Sequence, residues 1–380
     1  MLKKFLFVFL ASLTWCAFAH SQDATAQGSG AHSADLCVRL QSAIDALPAV
    51  GGTVDLRSET GQQTCGATVH ITGKTVTVLL GPVTWTTTVL PMIQVAGYDK
   101  KTKFNLLCDH PLASTLLASR DAKGSAALVQ LGDPSGDGQN TNSSWGRVEG
   151  CGFDGGGVTD AIAVTGYTAG EFSRLSIYNY AHRGIYLHHA WNTSLRMLNL
   201  NRGVRGASAA LVLDDASNTV LENSQCYAGR GNGVSCVSLE GMGSSAVSLR
   251  NVDCGDDYAC AVLPKLEQPV SNFLFEQVYF ENQETPVSIG EQGRGQTPVN
   301  VIFLGGKVAA NPASGEFRIV EVRGAHIRGM TLQHAAFGPG VHGLHLDGNT
   351  YYGGKVNRAS SFSDCDGDAP CEFTDTGSAR

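Results

Sequence analysis

From Ser143 to Thr350 the chain divides into eight units averaging 26 residues. Each unit holds an apolar strand, a polar or glycine turn and a second short strand. A repeat of that length marks a stacked architecture, because one unit cannot bury its own apolar face and needs neighbours on both sides. The second strands read "DAIAV", "RGIYLHH", "AALVLDD", "VSCVSLE", "YACAVLP", "PVSIGE", "EFRIVEV" and "HGLHLDG". In most of them alternate residues are apolar, the pattern of a strand with one buried face. Ile185 and Leu187, Leu211 and Leu213, Val287 and Ile289, Phe317 and Ile319, and Leu344 and Leu346 are therefore expected to point inward. Strands recurring at this spacing without helices between them exclude an alternating β/α sheet. Asn-Gly hairpin signals are mostly missing, which argues against an antiparallel sandwich. The expected fold class is all-β: a parallel β-helix, with glycine (46 residues) and a low charged fraction (16%) suiting one elongated body.

A solenoid exposes unpaired strand edges at its ends and needs a lid. "SADLCVRLQSAIDALPAVGGTVDL" supplies one: Leu36, Leu40, Ile44 and Leu47 recur at helical spacing after Ser33 as the expected N-cap. Pro48 and Gly51-Gly52 stop the helix, and Thr53 to Leu56 begin a strand. Upstream, a basic start at Lys3 and Lys4, an apolar run and Ala17-Phe18-Ala19 read as a secretory signal peptide over 1–19. Residues 20–34 then form a flexible segment, 35–354 the β-helix and 355–380 a polar acidic tail. The protein is thus expected to be secreted, extracellular or periplasmic, and no segment is apolar for long enough to span a bilayer.

Loss of the leader takes the formal charge from −7 to −9, since two lysines leave, and eleven cysteines become ten. An even count in an exported chain points to disulfides. Spacing suggests Cys226–Cys236, Cys254–Cys260 and Cys365–Cys371; Cys37–Cys65 and Cys108–Cys151 follow by elimination. An acidic chain disfavours nucleic acid as a partner, so attraction to an anionic polymer has to be local. No C-x-x-C pair indicates zinc, and no cofactor is firmly indicated. Calcium is the ion that the acidic stretches admit, including Asp364, Asp366 and Asp368 in the tail.

The helix, "AIDALPAVGGTVDL" and the stacked coils together resemble the secreted pectin-lyase-like right-handed parallel β-helix superfamily, over about Asp35 to Tyr352. The resemblance implies a polysaccharide or glycan ligand in a groove along one exposed sheet. That superfamily spans polygalacturonases, pectate lyases, other polysaccharide-cleaving enzymes, phage tailspikes and non-catalytic surface proteins.

The chemistry is sought where acids stack. In "NVDCGDDYACAVLP", aligning Cys260 and Val262 with Val287 and Ile289 is a shift of 27 residues, which lays Asp257 on Glu284 and Asp256 on Gln283. Neighbouring coils lie about 4.8 Å apart, close enough for one carboxyl to retain its proton and act as a general acid. Ser288 and Arg318 alternate with inward residues and are expected on the same outward face. Tyr186, His188 and Asp214 lie further up it and His345 toward the other end, as substrate contacts. "CGDDYACAV" also resembles the polygalacturonase stretch in which an aspartate pair precedes a groove-facing strand; "VSIG" and "FRI" match the strands that follow. The third carboxylate, the histidine and the lysine of that family are replaced by Asn232-Gly233-Val234, Thr285-Pro286-Val287 and Val320.

Three functions follow as expectations. The first is inverting hydrolysis of a uronate-containing, pectin-like polysaccharide, with Asp257 paired to Glu284 as acid, Asp256 positioning water and Arg318 holding the substrate carboxylate. The second is calcium-dependent β-elimination, with Asp256, Asp257 and Glu284 on the ion and Arg318 as base. The third is a non-catalytic glycan-binding or structural solenoid. Each residue also has a plainer role: Asp256-Asp257 as a solvated turn, Arg318 as an ordinary surface side chain, His188-His189 as structural, since no acid adjoins them in sequence.

Overall fold

The structure is a computed structural model and describes residues 24–25, 35–96, 101–133, 144–229, 231–281, 283–309, 317–332, 335–351, 356–358 and 373–376. The backbone winds as a parallel β-solenoid with three sheets along its length. Sheet A contains Ile162–Thr165, Arg183–His188, Ala209–Asp214, Ser235–Glu240, Ala261–Lys265, Val287–Gly293 and the start of Phe317–Arg328. Sheet B contains Ala169–Ser173, Thr193–Arg196, Ser271–Glu276, Val299–Leu304 and the end of Phe317–Arg328. Sheet C contains Ser176–Tyr178, Asn199–Asn201, Tyr279–Glu281 and Lys307–Val308. The strands pair in parallel with their counterparts one coil away, so in the inner coils backbone donors and acceptors on both edges are used.

The turn from sheet B to sheet C is made by one residue per coil. Arg174, Met197, Asn223, Asn251, Gln277, Gly305, Gly329 and Gly348 occupy it in succession, all left-handed with φ between 50° and 65°. The N–H groups of Arg174, Met197, Gln277, Gly305 and Gly329 bond to the next coil's carbonyl, as from Arg174 to Arg196 (3.0 Å) and from Gln277 to Leu304 (2.9 Å). That ladder holds even Met and Arg in a conformation that costs an L-residue about 1–2 kcal/mol.

The expected inward residues are inward. Ile185, Leu187, Leu211, Leu213, Val287, Ile289, Phe317, Ile319, Leu344 and Leu346 are all buried. Aromatic rings stack along the axis beside them, with Phe275 on Phe303 at 4.4 Å and Phe303 edge-on to Phe317 at 5.1 Å. The lid is helix α1, Leu36–Ala46, whose buried face is Leu36, Cys37, Leu40 and Ile44. Its N-cap is Asp35, not Ser33, which lies outside the described residues. Asp35 accepts from the N–H groups of Cys37 (2.8 Å) and Val38 (3.2 Å) and ties the helix to the first coil through Gly66 N–H (2.6 Å).

The disulfides Cys37–Cys65, Cys108–Cys151, Cys226–Cys236 and Cys254–Cys260 are formed. Cys365–Cys371, the acidic loop around them and the leader lie outside the described residues. Strands also arise where a flexible segment and a tail were expected. Ala24–Thr25 pairs with Val54 and Asp55, while Val356–Arg358 and Phe373–Thr376 pair with Ala335–Asp347. Bare edge N–H and C=O groups accept any compatible chain, which outweighs the polar composition of these segments. No helix among the described residues is long and apolar enough to cross a membrane.

Phe303→Ala removes a ring packed against two others and is expected to cost about 3–5 kcal/mol in urea unfolding. A loss below about 1 kcal/mol would mean that the aromatic stack contributes little to the core.

Candidate functional site

The acidic corner between sheets C and A is the first place to look. Ala261, Val262 and Leu263 pair with Val287, Ser288 and Ile289, a shift of 26 residues. Gly255 likewise pairs with Glu281. Asp257 therefore lies over Gln283, and the expected stacking of Asp257 on Glu284 does not form. The cause is legible in "ACAVLP": both alternations are apolar, and packing selects the one that buries Leu263 opposite Ile289. A slip of one residue reverses every side chain.

The consequence for the carboxylates is large. Asp257 is fully buried and Asp256 is exposed, as is Glu284. The three carboxylates expected to share a calcium ion thus face different surroundings. Burial holds the Asp257 carboxyl well above the usual range, against the hydrogen bond it accepts from Ala228 N–H. Its Oδ2 has no partner, and neither does Oε1 of Gln283, whose amide donates to Cys254 O. A carboxyl that keeps its proton can donate from Oδ2 to Oε1 on the next rung, satisfying both atoms.

Arg318 pairs with Glu291 at 3.1 Å on sheet A, one rung from Ser288, which is itself buried. His345 is not on that face. It lies on sheet B in register with His326, their rings 4.6 Å apart.

Further up sheet A the structure gathers a different set. His188 and Asp214 are register partners on consecutive coils. His188 Nδ1 is 2.9 Å from Asp214 Oδ2, and Tyr186 donates its hydroxyl to the same oxygen at 2.9 Å. Asp214 Oδ1 accepts from Met242 N–H at 3.2 Å. Burial pushes the Asp214 carboxyl upward, but the bonds from His188 and Tyr186 outweigh it and hold it below its ordinary value. Tyr186 is shifted the other way, by burial and by the Asp214 charge, so it keeps its proton. Arg183 caps the group: its guanidinium carbon is 3.7 Å from the Tyr186 ring centre, and its Nε bonds Asp160 at 2.7 Å. Glu240 follows Asp214 one rung on and accepts from Ser208 Oγ at 2.5 Å.

A second pair runs alongside. His189 Nδ1 is 2.7 Å from Asp215 Oδ2, and Trp191 Nε1 donates to Asp215 O at 2.9 Å. The partner acids of the two histidines are invisible as neighbours in sequence. They emerge when "LHHAWN" is laid over "LDDASN" at a shift of 26. Gly241 is also essential to the geometry, because a Cβ there would lie 2.0 Å from Asp214 Oδ1.

Chemically, a carboxylate that holds one imidazole nitrogen leaves the other as a working base, with its tautomer fixed. Tyr186, His188 and Asp214, named from sequence as separate contacts, form one hydrogen-bonded group.

No protein-family model matches the chain, and no curated protein matches it either. Solved structures do. One is a Geobacillus virus E2 protein (ORF18; 12% identity, TM-score 0.51), similar over 88% of this chain, which spans only 61% of that one. A second is DFA-IIIase from Arthrobacter chlorophenolicus A6 (12% identity, TM-score 0.50, 85% of this chain and 93% of that one). A third is the mannuronan C-5 epimerase A-module of Azotobacter vinelandii (14% identity, TM-score 0.50, 94% and 99%). At such identities the likeness is one of fold, the parallel β-helix.

Two outcomes are expected. The Asp257 carboxyl is raised in the folded chain, so its contribution is complete below the unfolded value near pH 4 and is lost as pH rises toward the folded one. Asp257→Asn should therefore be more stable than wild type at pH 7, by on the order of 1–3 kcal/mol, with the gap closing toward pH 4. Denaturant titrations at the two pH values measure it, and a gap that widens toward pH 4 refutes the buried neutral acid. Gly241→Ala should displace Asp214 from His188, read as a changed His188 imidazole resonance by NMR in a still-folded protein.

Proposed function

We propose that this protein is a carbohydrate-active enzyme that binds a uronate-containing glycan along sheet A and cleaves it by β-elimination, with His188 as base. The observation that carries this reading is the His188–Asp214 pair with Tyr186 on the same carboxylate oxygen. His188 Nε2 would take the proton from the carbon bearing the uronate carboxylate. The electron pair forms the new carbon–carbon double bond and the glycosidic oxygen departs from the neighbouring carbon. That oxygen takes a proton from Tyr186, which burial keeps protonated until then. Asp214, held ionised, orients His188 and stabilises the imidazolium. Arg183 supplies positive charge beside Tyr186, where the substrate carboxylate gains charge during proton removal.

This assignment moves the base from Arg318 to His188. A guanidinium is protonated at any working pH, whereas an imidazole exchanges its proton near neutrality. Elimination is favoured over hydrolysis by where the protons are. Glycoside hydrolysis needs a protonated carboxyl at the scissile bond. Asp214 is held ionised on sheet A, and Asp257, held protonated, is walled into the interior. Hydrolysis is the second reading, supported by Asp214 and Glu240 standing one rung apart.

Incubation with polygalacturonate, alginate and other uronate polymers should yield unsaturated ends, seen as ultraviolet absorbance rising with reducing ends. His188→Ala is expected to lower turnover about 10²–10⁴-fold, with Asp214→Asn also impaired. Reducing ends without unsaturation would move the assignment to hydrolysis. Turnover unchanged in His188→Ala would sink the proposed centre.

A further inference from the structure

The corner between sheets B and C changes character along the solenoid. Through Gln277 its left-handed residue usually carries a large side chain; over the next three coils it is Gly305, Gly329 and Gly348. The Gln277 amide lies across Gly305, whereas a Cβ at Gly329 or Gly348 would meet nothing within 4 Å. The side chains thus step down to a bare backbone ledge. Cavities of about 400 and 370 Å³ share Gln277, Gly305 and Gly329. A third, of about 370 Å³, joins them through Leu304 and Arg328 and reaches the His326–His345 pair on sheet B.

The walls of this groove mix polar side chains with Ile302, Leu304 and Ile327, and one face is aromatic. Tyr279 and Lys307 stand in register on successive rungs of sheet C. Lys307 makes no ion pair among the described residues, and Arg328, beside Asp347 at 3.3 Å, keeps 72% of its side chain exposed. On sheet A, by contrast, Arg183, Lys265 and Arg318 are each held by an acid. In a chain of formal charge −7 the ledge therefore joins an unpaired cation to a surface left free of side chains at Gly329 and Gly348.

We propose that this ledge is a second glycan site, separate from the His188–Asp214 group on sheet A, that takes a segment of acidic oligosaccharide. A sugar ring lies flat over Gly329, beside the Gln277 amide and against the Tyr279 ring, and its carboxylate meets Lys307 and Arg328. Rigid aromatic faces suit the apolar side of a sugar, and a guanidinium matches a carboxylate in two bonds. The acidic character of the ligand rests on the uronate reading of sheet A; the location of the site does not.

Affinity electrophoresis of the full chain in native gels containing alginate or polygalacturonate tests this. Wild type should be retarded. Tyr279→Ala and Lys307→Glu should each weaken retention roughly fivefold to tenfold, with unchanged melting temperature and unchanged turnover of short soluble oligosaccharides. Gln277→Ala, which leaves the ledge open, should retain binding. Retention equal to wild type in both ledge variants overturns the proposal, as does retention lost in His188→Ala and kept in Tyr279→Ala. Absent turnover with ledge-dependent retention leaves this site standing and rejects the β-elimination reading alone.

Discussion

The rung-to-rung backbone ladder decides what every outward side chain can do. Each coil is locked to the next by parallel hydrogen bonds, so a residue's neighbours are those one repeat away. Chemistry on such a body needs matching positions in different coils. His188 meets Asp214 because the ladder pairs those two positions, and the same ladder separates Asp257 from Glu284. The one-residue left-handed corners make this strictness possible. The corner residue's N–H is bonded to the following coil even where Arg174 or Met197 has to adopt the conformation, so the rungs stay aligned although the number of residues between them varies.

The two acidic regions show how surroundings divide one residue type into opposite roles. Asp214 is largely buried, but three donors face it, so the charged form prevails over burial. Asp257 is enclosed with a single donor and a glutamine oxygen as its next-rung neighbour, so the neutral form prevails. The first suits an anion that orients a base. The second suits an interior hydrogen bond that helps fix the corner between sheets C and A. The Asp256-Asp257 doublet is therefore mostly architecture, while "LHHAWN" over "LDDASN" forms the two His–Asp pairs.

Much of the fold was legible in the chain. The period near 26 residues, the inward alternation at Ile185-x-Leu187 and Leu344-x-Leu346 and the cysteine spacing lead to the solenoid and to four of its disulfides. The cap was legible as a helix but not in its first residue. Asp35 wins over Ser33 because its second oxygen also reaches Gly66, a contact that exists only once the first coil has formed. Of the site, Tyr186, His188 and Asp214 were readable as outward positions, and His345 was misplaced because a long strand bends from sheet A into sheet B within Ala335–Asp347.

The sequence by itself determined the repeat, the alternation and the chemical types on offer, because these depend on local order and on burial of apolar surface. Only the tertiary structure decided the register, since "ACAVLP" is apolar in both alternations and the choice belongs to the packing of Leu263 against Ile289. That single-residue choice turned Asp257 inward and laid it on Gln283. Proximity across coils is a property of the stacked backbone, which no stretch of chain read alone contains.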